Sequence, residues 1–168
     1  VFIKSSLSGT DSFTLLAVPF FMLAGNLMAT GGIAKRIVNF ADSLLGWMTG
    51  GLSIVTTIAC MFFGAVSGSA VATTSAIGSF MIPEMEKKGY DKDFSAALAA
   101  AAGSVGVIIP PSVPLVIYGV AVNASVKDLF TAGILPGIMM GIAMIIVCVI
   151  TSRKHGWKGD AKRPEPKK

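Results

Sequence analysis

The chain has 168 residues, of which 53% are hydrophobic and 14% are charged, and its mean hydropathy is +0.73. A soluble globular domain carries about 25% charged residues, so this composition excludes that class. The formal net charge of +5 comes entirely from the segment after residue 152, which holds seven basic and two acidic residues. A basic tail beside an apolar segment is typical of a cytoplasmic anchor. We therefore expect no nucleic-acid binding.

Four long stretches of the chain contain no charged residue: 12–34, 43–83, 94–126 and 129–152. The shortest has 23 residues, and about 20 apolar residues suffice for a helix to cross the hydrocarbon core of a bilayer. The pattern predicts an all-α integral membrane protein that crosses the bilayer several times.

Three basic pairs adjoin these stretches: Lys35-Arg36, Lys87-Lys88 and Arg153-Lys154. Arg and Lys beside membrane segments tend to stay in the cytoplasm. All three pairs share that side if the stretch 43–83 enters and leaves the membrane on one face. The two stretches on either side of a short turn at 126–128 must then cross the membrane, the first away from the cytoplasm and the second back to it. This pattern predicts a re-entrant hairpin followed by two crossings.

In chain order, the sequence predicts six segments. They are a transmembrane helix at 1–32, an amphipathic interfacial arm helix at 33–50, a re-entrant helical hairpin at 51–89, a broken transmembrane helix at 90–126, a transmembrane helix at 127–153 and a basic cytoplasmic tail or loop at 154–168.

The arm helix is predicted from its amphipathic pattern. One face carries Ile33, Ile37, Phe40, Ala41, Leu44 and Met48. Such a face suits a helix in the membrane interface or one that braces a neighbouring subunit. A short connector facing solvent is the alternative.

Small and hydroxyl residues crowd the middle of the second stretch, in the run GAVSGSAVATTS at 64–75. An unpaired backbone group in hydrocarbon costs several kcal/mol, so a turn at this depth must be enclosed by protein or line a watery cavity. Ser67 and Ser69 offer hydroxyl oxygens, and a helix starting near Ala70 offers amides that favour an anion. The run predicts a binding site, with a simple close-packing pair of Gly64 and Gly68 as the alternative.

The third stretch is interrupted by prolines, in the run GSVGVIIPPSVP at 103–114. Adjacent prolines cannot continue a helix. The first half should therefore end between Gly103 and Gly106 with free carbonyls, and the second half should begin after Pro111. Secondary transporters bind substrate and coupling ion between such broken elements. A proline kink without a ligand is the alternative.

Other residues indicate packing rather than chemistry. Glycines recur every four residues at 133, 137 and 141, which predicts a close-packed helix seam. Cys60 and Cys148 lie far apart in apolar stretches and are expected to be packing residues. The single histidine, His155, lies in the polar tail, and every carboxylate lies outside the charge-free stretches. We therefore expect no enzyme activity.

Four runs of sequence together resemble the large membrane subunit of tripartite ATP-independent periplasmic (TRAP) transporters. They are DSFTLLAVPFFMLAGNLMATGG at 11–32, GAVSGSAVATTSAIG at 64–78, GSVGVIIPPSVPLVIYG at 103–119 and FTAGILPG at 130–137. The resemblance covers about residues 5–157 and only the first of the family's two inverted repeats. It implies an elevator-type membrane protein of the ion transporter superfamily, located in the bacterial inner (cytoplasmic) membrane.

The resemblance also implies a coupling ion, a substrate class and partners. Sodium would drive import of an organic acid of the dicarboxylate, sialic acid or sugar acid type. The partners would be a small membrane subunit, a periplasmic binding protein and the remainder of the large subunit, which supplies the second repeat.

Site residues are assigned to the two broken elements. The expected sodium ligands, mainly through carbonyl oxygens, are Ser67, Ser69, Gly106, Ile109 and Pro111. The expected substrate contacts are Ser67, Ser69, Thr73, Thr74 and Ser112. Thr73 departs from the family pattern, in which we expect an acidic residue at this position in many members.

Two other functions remain open. A divalent-anion sodium symporter would share the hairpin and the broken helix but would need no periplasmic partner. A structural membrane subunit would bind no substrate, but it would not need so many hydroxyls around a broken backbone. The sequence contains no nucleotide-binding loop, which favours an ion gradient over ATP as the energy source.

Overall fold

A computed structural model describes residues 13–157 of the chain. The described part contains seven helices and no strand. The helices are α1 (Phe13–Thr30), α2 (Ile33–Leu45), α3 (Gly51–Ser67), α4 (Ala70–Lys87), α5 (Lys92–Gly106), α6 (Val113–Ala121) and α7 (Val126–His155). The predicted all-α class is confirmed. The predictions for residues 1–12 and for the tail after residue 157 lie outside the described residues.

The last helix, α7, has 30 residues and runs for about 45 Å at 1.5 Å per residue. Among the helices described, it alone is both long and apolar enough to cross a membrane by itself, whereas α3 is apolar but shorter. The turn predicted at 126–128 is wrong. The hydroxyl of Ser125 accepts a hydrogen bond from the amide of Asp128 at 3.3 Å, so the helix begins at Val126 and the turn lies just before it.

Helix α3 forms the centre of the bundle and packs against α1, α2, α4, α5 and α7. Its side chains Val55, Ala59 and Phe63 are fully buried. They form one apolar core with Ile77 of α4 and Ala102 of α5. Helices α3, α4 and α5 therefore share a core.

The buried face of α2 differs from the predicted one. Ala34, Val38 and Ala41 are buried against α3 and α4. Of the predicted apolar face, Ala41 is buried, Ile37 is half-buried, and Ile33, Phe40, Leu44 and Met48 are exposed. The small side chains allow close packing on the bundle, and the large ones form an outer apolar stripe. The location of α2 in the membrane interface or against a neighbouring subunit stays a prediction.

The ends of three helices meet at Trp157. The amide of Gly50, just before α3, donates to the Trp157 carbonyl at 3.2 Å. The ring of Tyr90, just after α4, lies 4.6 Å from the Trp157 ring. The start of α3, the end of α4 and the end of α7 therefore lie at one end of the molecule.

The basic pair on α2 lies at the same end. Lys35 lines a groove of about 410 Å³ between α2, α3 and α4, together with Glu84 and Lys88. Because Lys88 adjoins the Tyr90 turn, the three basic pairs gather at one end of the bundle. The turn at Asn123 precedes α7, whose length separates it from Trp157.

Candidate functional site

The turn between α3 and α4 consists of Gly68 and Ser69. Gly68 has φ of +64° and donates its amide to the Gly64 carbonyl at 2.9 Å. Glycine adopts this left-handed conformation without the steric penalty of a β-carbon. A β-carbon here would also overlap the side chain of Val113, the first residue of α6. The hairpin turn therefore touches the point where the broken span resumes.

Two hydroxyls and the backbone of Ser69 form a closed ring of hydrogen bonds at this turn. The Ser69 amide donates to Ser67 Oγ at 3.4 Å, Ser67 Oγ lies 2.9 Å from Thr73 Oγ1, and Thr73 Oγ1 donates to the Ser69 carbonyl at 2.8 Å. Ser67 Oγ also donates to the Ser69 carbonyl at 3.4 Å, and either hydroxyl can be the donor in the Ser67–Thr73 pair. Ser67 is only 3% exposed and Thr73 is fully buried.

The other predicted hydroxyls also bond to nearby backbone. Ser69 Oγ accepts from the amide of Ala72 at 3.2 Å and caps α4. Ser112 Oγ accepts from the amide of Leu115 at 3.4 Å and caps α6. Thr74 Oγ1 donates to the carbonyl of Ala99 in α5 at 3.4 Å. Ser112 is buried, whereas Ser69 and Thr74 are half-buried and so lie nearer the surface.

Helix α5 ends at Gly106 and α6 begins at Val113, with a cis peptide bond between Pro110 and Pro111. The carbonyls at the end of α5 are less free than the sequence suggests. The amides of Ile108 and Ile109 turn back and donate to the carbonyls of Val105 at 3.1 Å and Gly106 at 3.2 Å. Such tightening of the last turn is a common way to satisfy carbonyls at a helix end.

Glycines bring the two broken elements into backbone contact. A β-carbon on Gly106 would lie 2.6 Å from the Cys60 carbonyl oxygen and 3.0 Å from Gly64 Cα. Gly64, one of the two glycines for which the sequence offers close helix packing as an alternative role, packs against α5, where its β-carbon would lie 2.9 Å from Gly106 Cα. On the other side of the turn, a β-carbon on Gly25 of α1 would lie 2.9 Å from Ser67 Cα.

The role of Gly25 is not predicted from the sequence, where one glycine in an apolar run carries no distinct signal. Gly103 holds a similar position beside Thr74. A β-carbon there would lie 2.5 Å from Thr74 Oγ1 and 3.2 Å from the Ala70 carbonyl oxygen. The alanine- and glycine-rich run at 99–106 is the sequence signal for this close approach of α5 to the hairpin.

The glycines of α7 pack against the break in the span. Gly133 and Gly137 lie against Ile108 and Ile109, and Gly141 lies against the Met61 side chain. All three glycines are buried. The seam therefore supports the loop at 107–112 from behind, and it contributes no polar side chain.

The structure brings together most of the predicted site. Ser67, Ser69 and Thr73 share one hydrogen-bond ring, Thr74 faces α5, and Ser112 adjoins Val113 at the hairpin turn. The carbonyl of Ser69 already accepts the Thr73 amide at 3.0 Å and the Thr73 hydroxyl. Ile109 and Pro111 instead line an apolar groove of about 370 Å³ between α3 and α7, with Ala65 and Val66. No cluster of His, Cys, Asp or Glu able to hold a metal ion occurs within residues 13–157.

A family model described as the DctM component of the tripartite ATP-independent periplasmic transporter matches residues 1–168. The chain belongs to this family. The resemblance inferred from the four sequence runs is thus confirmed, and so is the transmembrane, transport-associated class of the protein. The family consists of membrane subunits of transporters.

Three curated relatives show which substrates occur in the family. An isethionate TRAP transporter permease protein of Oleidesulfovibrio alaskensis is 50% identical over 152 residues, 90% of this chain and 24% of the relative. The C4-dicarboxylate large permease of Vibrio cholerae is 50% identical over 141 residues, 84% of this chain and 31% of the relative. The sialic acid large permease of Vibrio cholerae is 46% identical over 154 residues, 92% of this chain and 36% of the relative. The chain thus spans about a quarter to a third of the length of these relatives.

Proposed function

We propose that this DctM-family chain forms part of the large membrane subunit of a sodium-coupled secondary transporter in the bacterial inner membrane. The transporter would import an organic acid delivered by a periplasmic binding protein, with a small membrane subunit as a further partner. The remainder of the large subunit would complete the site. The observation that carries this proposal is the contact between two helix breaks, at Gly68 and Val113, in a member of this family.

The substrate is proposed to be an organic anion. The named substrates of the three relatives are isethionate, C4-dicarboxylate and sialic acid. All three are anionic at neutral pH. Helices α4 and α6 both begin at the contact between the breaks, and the amides of a helix N-terminus favour a negative group.

The hydrogen bonds refine which residues would touch this anion. Ser67 and Thr73 are buried and bonded to each other, so we assign them to holding the turn in shape. Ser69 and Thr74 are half-buried and lie beside the start of α4, which makes their hydroxyls the better candidates for substrate contact. Ser112 would act through the cap of α6 rather than by direct contact.

The coupling cation is proposed to lie between the hairpin turn and the loop at 107–112. Hard cations prefer oxygen ligands, which carbonyls at broken helices supply. The Gly106 carbonyl accepts one hydrogen bond and has a second lone pair with which it can bind an ion, whereas the Ser69 carbonyl already accepts two, so Ser69 would offer its hydroxyl oxygen instead. The carbonyls of Ser67, Ile109 and Pro111 complete the proposed set.

The close contact of the two elements also supports an elevator-type movement. Gly64 and Gly106 bring α3 and α5 together at backbone distance, and the two helices share one core. A hairpin joined to a broken span in this way would move as one rigid body. Substrate and ion would then cross the membrane together with it.

The test is transport by the full-length large subunit, reconstituted in liposomes with its small subunit. The binding protein is added outside with labelled succinate, sialic acid or isethionate in separate assays. Uptake of one of these anions should require an inward sodium gradient and the binding protein. Uptake without sodium would refute the coupling, and uptake without the binding protein would favour a divalent-anion symporter. No uptake of any organic anion by a correctly assembled complex would favour a structural subunit.

A matched pair of serine variants tests the substrate contact. Ser69→Ala should raise the substrate concentration needed for half-maximal uptake, because it removes a half-buried hydroxyl beside the proposed anion. Ser79→Ala is the control, since Ser79 lies further along α4, the helix that Ser69 caps, and its hydroxyl bonds to the Ala76 carbonyl at 3.1 Å. Equal uptake curves for both variants would exclude Ser69 from the substrate site.

A further inference from the structure

The groove between α2, α3 and α4 lies at the end of α4 that is opposite the hairpin turn. Its volume is about 410 Å³, which falls in the range of about 300–1,000 Å³ that is usual for ligand pockets. Its lining is charged in one part and apolar in another. None of the residues proposed to bind substrate or cation lines it, so the transport site does not account for this groove.

The charged part of the groove carries an excess of positive charge. Lys35 of α2 and Lys88 at the end of α4 line it together with Asp42 and Glu84. A third ammonium group lies at the edge, where Lys87 Nζ forms an ion pair with Glu84 Oε1 at 2.8 Å. All three lysines attract the Glu84 carboxylate. Three lysines against two carboxylates leave one positive charge, which a single phosphodiester group would balance.

The apolar part of the groove lies deeper along α4. Leu52 of α3 and Phe80 of α4 line it and are half-buried, so a ligand in the groove can touch both side chains. Phe80 precedes Lys88 by eight residues, which is about 12 Å along a helix axis. The headgroup region on each side of a bilayer is about 5–8 Å thick. The lining therefore changes from charged to apolar over a distance that reaches from the lipid headgroups into the acyl chains.

We propose that this groove binds one anionic phospholipid of the cytoplasmic leaflet. The phosphate would lie between the ammonium groups of Lys35 and Lys88, and the first part of an acyl chain would lie against Leu52 and Phe80. Basic pockets between membrane helices on the cytoplasmic side bind anionic headgroups in this way. The groove faces that leaflet because the basic pairs predict that this end of the bundle is cytoplasmic.

The outer face of α2 fits a helix at the level of the headgroups. Phe40 and Leu44 on α2, and Trp47 just after it, are exposed. Side chains of this kind are typical of a helix that lies in the bilayer surface. A lipid bound between α2 and α4 would join the two helices at that level, and it would add to the packing of α2 on the bundle.

A lipid suits the groove better than a small soluble anion does. A free phosphate would bind to the lysines but would leave Leu52 and Phe80 in contact with water. A phospholipid neutralises the excess charge and also covers the apolar wall, and burial of apolar surface is favourable. The groove therefore requires a ligand with both a phosphate and a hydrocarbon chain.

The test is native mass spectrometry of the full-length large subunit bound to its small subunit. The complex, in an uncharged detergent, is titrated with phosphatidylglycerol, and the apparent Kd of the first bound lipid is measured. A lysine near an anionic lipid contributes about a five-fold change in affinity. Lys35→Gln and Lys88→Gln should each raise the apparent Kd about five-fold, and the double variant should raise it about 25-fold.

Two further variants are matched controls. Lys92→Gln removes an exposed charge at the start of α5, at the same end of the bundle but outside the groove lining, and should leave the apparent Kd unchanged. Lys35→Arg keeps the charge inside the groove and should bind phosphatidylglycerol like the unmodified protein. An equal loss of affinity in Lys92→Gln would reduce the effect to general attraction by the basic end and overturn the proposed site.

The choice of lipid separates the remaining outcomes. Phosphatidylcholine should bind more weakly than phosphatidylglycerol, because its quaternary ammonium group cancels the charge of its phosphate. Inorganic phosphate that binds as tightly as phosphatidylglycerol would exclude a lipid as the ligand. An unchanged apparent Kd in the double variant, or equal affinity for both lipids, would overturn the proposal. Substrate uptake is not measured, so the result is independent of the proposed transport function.

Discussion

Ser67 Oγ and Thr73 Oγ1 lie 2.9 Å apart and are buried on opposite sides of the hairpin turn. Through them, the amide and the carbonyl of Ser69 are tied into one ring. The turn residue Ser69 is therefore held in place by side chains from both helices. The ring explains why hydroxyl residues flank a break whose backbone would otherwise be left with unpaired polar groups.

The ring gives a prediction for Thr73. Thr73→Val keeps the shape of the side chain but removes the buried hydroxyl that bonds to Ser67 Oγ and to the Ser69 carbonyl, which should destabilise the full-length subunit by about 1–3 kcal/mol. Thr73→Ser keeps the hydroxyl and should retain most of the stability. The measurement is denaturant-induced unfolding in detergent. Unchanged stability in Thr73→Val would show that the ring does not stabilise the turn, and a loss in Thr73→Ser alone would assign the effect to the methyl group.

Much of the fold can be predicted from residues that act locally. Two adjacent prolines stop a helix wherever they occur, and α5 and α6 are separated around Pro110 and Pro111. Glycine at the turn marks the left-handed conformation that Gly68 adopts. The basic pairs indicate a shared side because of their position beside apolar stretches, and the structure places them at one end.

The partners of each polar group could not be predicted in the same way. A serine near a broken helix can cap it, bind a ligand or bond to another hydroxyl, and only the three-dimensional arrangement decides among these. Ser112 caps α6, whereas Ser67 bonds to Thr73. Similarly, the apolar pattern of α2 does not reveal that Ala34 and Val38 face the core, because the larger side chains dominate the pattern.

The three basic pairs lie at one end of the bundle, which predicts that this end faces the cytoplasm. Single cysteines at Lys35, Lys87 and Lys154 should react with an impermeant maleimide only from the cytoplasmic side, and a cysteine at Asn123 only from outside. Both native cysteines are fully buried, and replacing them by alanine removes the remaining background. Labelling is measured in intact cells and in inverted membrane vesicles.

The outcome at Lys87 decides whether the α3–α4 pair is re-entrant. Labelling of Lys87 from the periplasmic side would show that the chain crosses the membrane an odd number of times between Lys35 and Lys87. The α3–α4 pair would then not be re-entrant, and the proposed site would lose its enclosed turn. Labelling of Lys35 and Lys87 from different sides would contradict their common position near the groove between α2 and α4. Asn123 serves as the internal control for sidedness.

The contact between α3 and α5 predicts a strong effect at Gly106. Gly106→Ala places a methyl group 2.6 Å from the Cys60 carbonyl oxygen, so two helix backbones must move apart. Overpacking of this kind costs about 1–3 kcal/mol. Gly78→Ala is a matched control, because its β-carbon would meet Ile82 Cδ1 at 3.4 Å, an ordinary contact. Thermal unfolding of both variants in detergent measures the difference.

We expect Gly78→Ala to be neutral or slightly stabilising, since alanine favours a helix over glycine by about 1 kcal/mol. If Gly106→Ala is as stable as Gly78→Ala, the two broken elements do not approach each other as closely as the structure places them. The same contact shows that a β-branched residue at Gly106 would disturb folding. A variant that tests the sodium dependence of uptake should therefore lie outside the α3–α5 contact.

Gly137 is such a position. A β-carbon there would lie 2.7 Å from Ile109 Cγ1, so Gly137→Val should push the loop at 107–112 away from α7 while the contact between α3 and α5 is kept. If the Ile109 carbonyl binds the coupling cation, this shift should raise the sodium concentration needed for half-maximal uptake in the reconstituted complex. Ala143→Val, at an exposed position on the same helix, should leave that concentration unchanged. A folded Gly137→Val variant with normal sodium dependence would remove Ile109 from the cation site.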